Sequence, residues 1–546
     1  MEFRYRYQGS SKVSTNSANS QLSFSPDSLR EPTYFVGKLH QKLAFREAIS
    51  ALHNVVISDM RFQPRDLTEY KTWLESEEQR MLAEFIARGS EAEAKATALR
   101  SELSKLNRDS YEVLKPYYEA QNKYFKYLYK HDMDAWWVLD PVITVHPDEI
   151  FFECFSEDES SYGKLSCRHD VFKEINEHAC GTTNIDYSQG LYDEFQKIRN
   201  YRETELKVDP EGFAVSTTGE DTHEEKKIDL PESWVRGFLQ VSSAMTLPLV
   251  QFDLHPMDIH NLCYLLRRNK ERVGPRALRY ELTPGEPIVI VLEPWNHKIV
   301  CSRSIYQGSN AAHIRTWGRR RLHILERLIP VANKFTVYLT GDGLPSFYIA
   351  DLGDMAFTLG LSGWTANNWS HLGNFDLMAP RGDVDEVTLK RVYSALLENW
   401  VESSSSLAQR LGLEEQVVKS ALSRYCQQGQ VLYDLQHECY RIRALTREEL
   451  PMSLLRFANE REEKANRFVD HNLVTVTQKD HSHKTLNLSG KVMDNAVEYS
   501  PKIQIDDDNR MTQASCDCHF YHENKLRKGP CEHMLALRAC YQQQTA

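Results

Sequence analysis

No stretch of the 546-residue chain approaches the roughly 18 apolar residues that a membrane-crossing helix needs. The most apolar short run, Pro287–Leu292, has the size of a single strand. The opening residues, MEFRYRYQGSS, lack the apolar region of a secretory signal. Together these absences predict a cytoplasmic protein with no membrane contact. Positive charge is in deficit: 66 Lys and Arg face 77 Asp and Glu, for a formal net charge of -11. A protein that is basic throughout is excluded, and any contact with DNA or RNA must come from a local patch. The 11 cysteines are odd in number and mostly scattered. That argues against a disulfide frame and for free thiols or metal ligands in a reducing compartment.

Catalytic signatures are missing as well. There is no GxSxG elbow, no HExxH and no GxGxxG. Gly490-Lys491 is followed by Val492, so no Walker A loop is present. The remaining acid–base candidates are Glu149 and Glu153, which alternation puts on one side of a strand, with His146 and Asp148 beside them. Edge-strand carboxylates that only solvate the sheet have the same pattern. The chain is therefore predicted not to be an enzyme, with a reaction hidden in residues 136–380 as the alternative.

What the chain does hold is material for cores: 41% of residues are hydrophobic and 10% aromatic, which excludes wholesale disorder. The fold class expected is α+β and multidomain. Residues 1–40 read as a flexible segment, rich in Ser, Asn, Gln and Pro over 8–31. Residues 41–135 read as helical. Pro64, Asp66 and Glu69 give a capping signal, and Trp73, Leu74, Met81, Leu82, Phe85 and Ile86 a helical stripe. Aromatics from Tyr111 to Tyr129 continue it and are expected to pack on a neighbouring element, with stacking on single-stranded bases as the alternative.

Residues 136–380 read as a mixed α+β region. Trp136–Val145 and Glu149–Phe155 are strand-like around a His146-Pro147-Asp148 turn, and an acidic excursion covers 204–229. Two basic runs lie here, Arg267–Arg279 and Arg315–Arg327. Arg315, Arg319, Arg320 and Arg321 are candidate contacts for phosphate or an acidic partner, set against a solvated helix face.

Residues 381–446 carry three helical segments and a hairpin. Val387, Leu389, Val392, Leu396 and Trp400 mark the first apolar face, and Ser403–Ser406 supply cap hydroxyls to the second. Glu414 opens the third, and strands over 430–435 and 438–443 close the pattern. That order resembles a winged helix-turn-helix, whose third helix often reads the major groove. Lys419 and Arg424 are the candidate contacts. Residues 381–445 nevertheless hold eight Lys or Arg against nine Asp or Glu, so DNA reading and protein docking stand level.

The strongest chemical signal lies at the end: Cys516-Asp517-Cys518, twelve residues, then Cys531-Glu532-His533. Three thiols and an imidazole suit tetrahedral Zn²⁺. In an extended segment residues i and i+2 face one side, so Cys516 and Cys518 can share one ion. In a helix the same spacing points two ways, so Cys531 must precede a helix that carries His533 in its first turn. His519 and His522 in the spacer are possible substitutes, and Cys540 is expected to be a free thiol. A closed Cys₃His site is structural, and metal binding is coupled to folding.

Over residues 465–546 this pattern resembles the SWIM zinc finger, Cys-x-Cys, a variable spacer, then Cys-x-His, with Ala514-Ser515 before and Met534–Leu537 after. The resemblance implies two strands and a helix around the metal. Trp317–Leu322, Gly343–Gly353 and Thr358–Trp369 further resemble bacterial SWIM-finger proteins associated with MoxR-type AAA ATPases and von Willebrand A proteins. That resemblance implies a non-catalytic adaptor of an ATPase system, touching DNA, RNA or protein. A DNA-binding transcriptional regulator is the alternative.

Overall fold

The computed structural model describes residues 12–15, 19–24, 33–58, 141–184, 192, 195–196, 198–201, 203–208, 232–269, 276–363, 368–370, 374–380, 384–445, 460–482, 485–495 and 497–545. All described residues belong to one unit, comprising 1–59 and 139–546. The helical reading over residues 66–131 lies outside the described residues, as does most of the acidic excursion. Among the described residues no helix is long and apolar enough to cross a membrane. Helices and several sheets make the architecture mixed α+β.

The central element is an eight-stranded sheet. Its order is Val250–Leu254, Lys334–Leu339, Ser346–Asp351, Met355–Leu361, Ser161–Arg168, Glu149–Phe155, Val142–Val145, Gly181–Asn184. Glu149–Phe155 is buried at every position, which requires cover on both faces. Helix α1 (Lys42–Val56) covers one face and α2 (Glu232–Met245) the other. Adjacent residues show the split: a Cβ on Gly163 would lie 3.0 Å from Val55 of α1, while Tyr162 packs edge-on against Phe238 of α2. Glycine at 163 thus sets how closely α1 approaches the sheet.

Helix α3 (Pro256–Arg268) follows, capped by His255, whose Nδ1 accepts from the Met257 amide at 3.1 Å. It lies beside a four-stranded antiparallel sheet ordered His297–Ile305, Pro287–Leu292, Leu278–Leu282, Ala312–Thr316. A five-stranded sheet joins Lys12–Thr15, Asn19–Phe24, Glu203–Val208, Tyr34–Leu39 and Phe172–Ala179. The expectation of a flexible 1–40 segment is therefore corrected over three stretches, which pair as strands. Parallel pairing with Glu203–Val208 holds Asn19–Phe24, whose mostly polar sequence gave no sign of a strand.

Next come α4 (Glu386–Asn399), α5 (Ser404–Leu411) and α6 (Glu415–Gln427), then the hairpin Val431–Asp434 and Cys439–Ile442. Val401–Glu402 adds a third strand beside Cys439–Ile442. Asp385 and Ser403 cap α4 and α5 through the amides of Thr388 and Ser406. Val392, Leu396, Leu407, Val418, Leu422 and Ile442 share a core. Val387, expected on the apolar face, is 76% exposed instead. It lies in the first turn of α4, where the expected face begins too early.

A buried charge network joins this hairpin to the central sheet. Arg443 Nη1 donates to Glu153 Oε1 at 2.8 Å, with both side chains wholly buried, and Tyr162 Oη donates to the same oxygen at 2.7 Å. Arg441 bridges Asp148 at 2.9 Å, Asp434 at 2.8 Å and Glu149 at 3.3 Å. His146 Nε2 lies 2.5 Å from the Ile442 carbonyl oxygen, and burial pulls its pKa down to about 3. The acid–base candidates of the sequence, Glu149 and Glu153, are thus spent on interior ion pairs.

The chain ends with α7 (Glu460–Asp470) and five strands: Val474–Ser482, Thr485–Asp494, Lys502–Asp506 and Met511–Ser515 in order, with Val497–Tyr499 beside Thr485–Asp494. Helices α8 (His519–Asn524) and α9 (Glu532–Thr545) complete it. Replacing Glu153 by Gln leaves Arg443 buried without its counter-charge. Such a loss costs about 3–5 kcal/mol, and chemical denaturation with unchanged m-value should read it.

Candidate metal centre

Cys516 follows the strand Met511–Ser515, and Cys518 is the N-cap of α8, its Sγ accepting from the Tyr521 amide at 3.4 Å. Cys531 immediately precedes α9, and His533 stands in that helix's first turn. Gly529 makes the entry possible: its φ is +82°, and a Cβ there would come within 2.7 Å of the Asn374 carbonyl oxygen. The four side chains expected to converge do so. Their ligand atoms all lie within 4.8 Å of one another, and all four residues are buried.

These positions fit one tetrahedral ion. Zn–S and Zn–N bonds of ordinary length put ligand atoms about 3.6–3.8 Å apart, and Cys516 Sγ lies 3.8 Å from His533 Nδ1. Hydrogen bonds with Cys516 and Cys531 pull the Cys518 thiol below its ordinary pKa, and the hydrogen bond with Cys518 pushes Cys516 up. Three sulfurs this close hold one thiolate readily; a cation is what allows all three to ionise.

The imidazole is fixed by neighbours with no spacing signal in the sequence. Tyr499 stacks on one side at 4.2 Å and Phe468 lies parallel at 5.8 Å. Nε2 faces Asp494 Oδ2 at 3.6 Å, and Lys464 anchors that carboxylate at 2.6 Å. A carboxylate behind a ligating histidine orients the ring and raises its basicity. These residues come from 34 to 69 positions upstream of His533, so only tertiary structure reveals them. His519 and His522, the possible substitutes, are exposed; His519 pairs with Glu523 instead. Cys540 stands apart, its Sγ near the Val474 carbonyl at 3.9 Å.

The basic candidates are placed differently. Arg319 and Arg321 are 2% and 1% exposed, so they belong to the interior rather than to a surface patch. Arg319 donates to the Ala277 and Glu293 carbonyls, and Arg321 to Ser160 O at 3.4 Å. Burial pulls the Arg321 pKa down. Arg315 is half-exposed and bound to Glu293 at 3.1 Å, while Arg320 is exposed. Lys419 is paired with Asp508 at 2.9 Å and Glu415 at 3.3 Å, and Arg424 donates to Val384 O at 3.3 Å. From Val417 to Gln427 helix α6 has no exposed residue.

The SWIM zinc finger family model matches residues 502–541. That span holds all four ligands, so the zinc-finger character of the C-terminal region stands. No curated protein matches the chain. Solved structures similar to it include the proliferating cellular nuclear antigen of Entamoeba histolytica, at 8% identity over 60% of this chain and 98% of that one, with a TM-score of 0.34. The PCNA2–PCNA3 complex of Sulfolobus tokodaii matches at 6% identity over 42% and 91%, with a TM-score of 0.29. Scores this low carry no argument about this protein.

The ligands share one hydrophobic cluster with the central region. Cys516, Cys518, Cys531, Met534 and Leu537 pack with Phe347, Trp369, Phe375 and Met378. Cys518→Ser should remove zinc, seen as loss of one equivalent by mass spectrometry. Hydrogen exchange should then quicken in 374–380 as well as in 485–545. Asp494→Asn should retain the fold and weaken zinc affinity by about 10–100-fold, read by competition with a chromophoric chelator.

Proposed function

We propose that this chain is a zinc-stabilised, non-catalytic adaptor that binds a protein partner. The observation that carries this reading is the donor set itself. Four protein ligands fill a tetrahedral ion and leave no position for water, so the metal holds structure rather than performing hydrolysis. The carboxylates once available for acid–base work are committed to Arg441 and Arg443. The resemblance to bacterial SWIM-finger proteins points to a MoxR-type AAA ATPase, with its von Willebrand A companion, as the partner system. A cytoplasmic setting accords with a centre built on reduced thiols.

The helix–strand–helix–helix–hairpin order of 386–442 supports the winged-helix reading of that segment. Its use as a DNA reader is disfavoured. The third helix, α6, packs against α2, and Lys419 is tied to Asp508 of the finger region. Only Glu414 and Glu415 at its start are exposed, and carboxylates repel phosphate. A transcriptional regulator would need this helix to leave its seat. Affinity capture from the native cell, with and without nuclease, tests the choice. Partners should survive nuclease and moderate salt. Loss of every partner on nuclease treatment, or steep weakening with salt, would favour the nucleic-acid reading instead.

A further inference from the structure

A second set of soft donors lies between α3 and the 3-10 segment Arg319–Leu328, outside the finger. Ligand atoms of Cys263, His323 and Glu326 lie within 4.8 Å of one another. The arrangement follows from local geometry. Residues three apart eclipse in a 3-10 helix, and His323 Nδ1 lies 2.9 Å from Glu326 Oε1. Cys263 reaches in from the facing helix, its Sγ 3.6 Å from the Leu322 carbonyl oxygen. A cavity of about 270 Å³ opens on the Glu326 side of this set, lined by His260, Tyr264, Arg267 and Glu326 among others.

We propose that Cys263, His323 and Glu326 form a second metal site, for a divalent ion of the zinc class. Thiolate and imidazole select a borderline transition metal over Mg²⁺ or Ca²⁺. Arg267 pairs with Glu326 Oε2, leaving Oε1 toward His323 and the sulfur. Such an outer partner orients a ligating carboxylate. Binding would release the Cys263 thiol proton to solvent as the sulfur–metal bond forms. Unlike the finger, this set supplies three protein ligands. The fourth position falls to water or a small ligand in the cavity, the arrangement of an open site. The two sites share no residue and stand or fall separately.

The test is metal stoichiometry on the full-length chain, loaded with zinc, dialysed and counted by mass spectrometry. Wild type should hold two ions. His323→Asn and Glu326→Gln alter part-exposed positions that leave the helix core intact, and each should hold one. Cys531→Ser should also hold one, lost from the finger. In that Cys531→Ser background, His323→Asn should bring the count to zero. Two ions retained in both His323→Asn and Glu326→Gln would overturn the site. So would a wild-type count of one that only Cys531→Ser removes, an outcome that leaves the finger standing. A wild-type count of zero would overturn both.

Discussion

The junction that the C-terminal half depends on is the entry into α9. Cys531 precedes that helix and His533 opens it, so an ion at this corner would hold the helix against the strand that ends at Ser515 and against α8. The same helix drives Met534 and Leu537 into the cluster that contains Phe347, Trp369 and Phe375. Binding free energy at four side chains is therefore folding free energy for packing well beyond them. This is why the metal centre is not a detachable module. Its hydrophobic backing is supplied by residues more than a hundred positions away in sequence.

Charge is organised around the same interior. The chain is acidic overall, yet several of its most visible cations point inward. Arg443 meets Glu153, Arg441 meets Asp148, Glu149 and Asp434, and Arg319 is absorbed by carbonyl oxygens and by the face of Trp295. A buried pair of this kind adds little net stability compared with apolar packing. Its effect is specificity: an arginine and a carboxylate that must meet in the dry interior define one docking register between the hairpin and the sheet.

The metal ligands were legible because their constraint is local. Two thiols two residues apart and a Cys-x-His at a helix start satisfy tetrahedral geometry almost by themselves. The three helices and hairpin of 386–442 were legible for a similar reason, since apolar faces such as Val392 and Leu396 and the cap hydroxyl of Ser403 are set by neighbours along the chain. The basic residues were misleading because a charge run carries no information about which side chains a tertiary neighbour will cover. Arg320 is exposed while Arg319 and Arg321 on either side of it are buried, and nothing in Arg319-Arg320-Arg321 distinguishes them. The Asp494 carboxylate behind His533 and the strands near the start of the chain are invisible for the same reason. Their partners are distant in sequence, and their own side chains are ordinary.

The cover over α6 bears on how any partner would engage. A major-groove reader needs a protruding helix whose exposed residues can reach base edges. Here that helix is packed on α2 and on the other two helices of its own module, and an ion pair from Lys419 to Asp508 fastens it to the finger region. The metal centre and the helical module are thereby mechanically linked. The strand end at Asp506 and the turn bearing Asp508 and Arg510 form one side of that link, and Arg510 reaches on to the Thr246 carbonyl at the end of α2. A partner that bound the finger region would act on the helical module through this contact. Conversely, disturbance of the metal would reach the eight-stranded sheet through Phe347 and α6 through the Lys419–Asp508 pair.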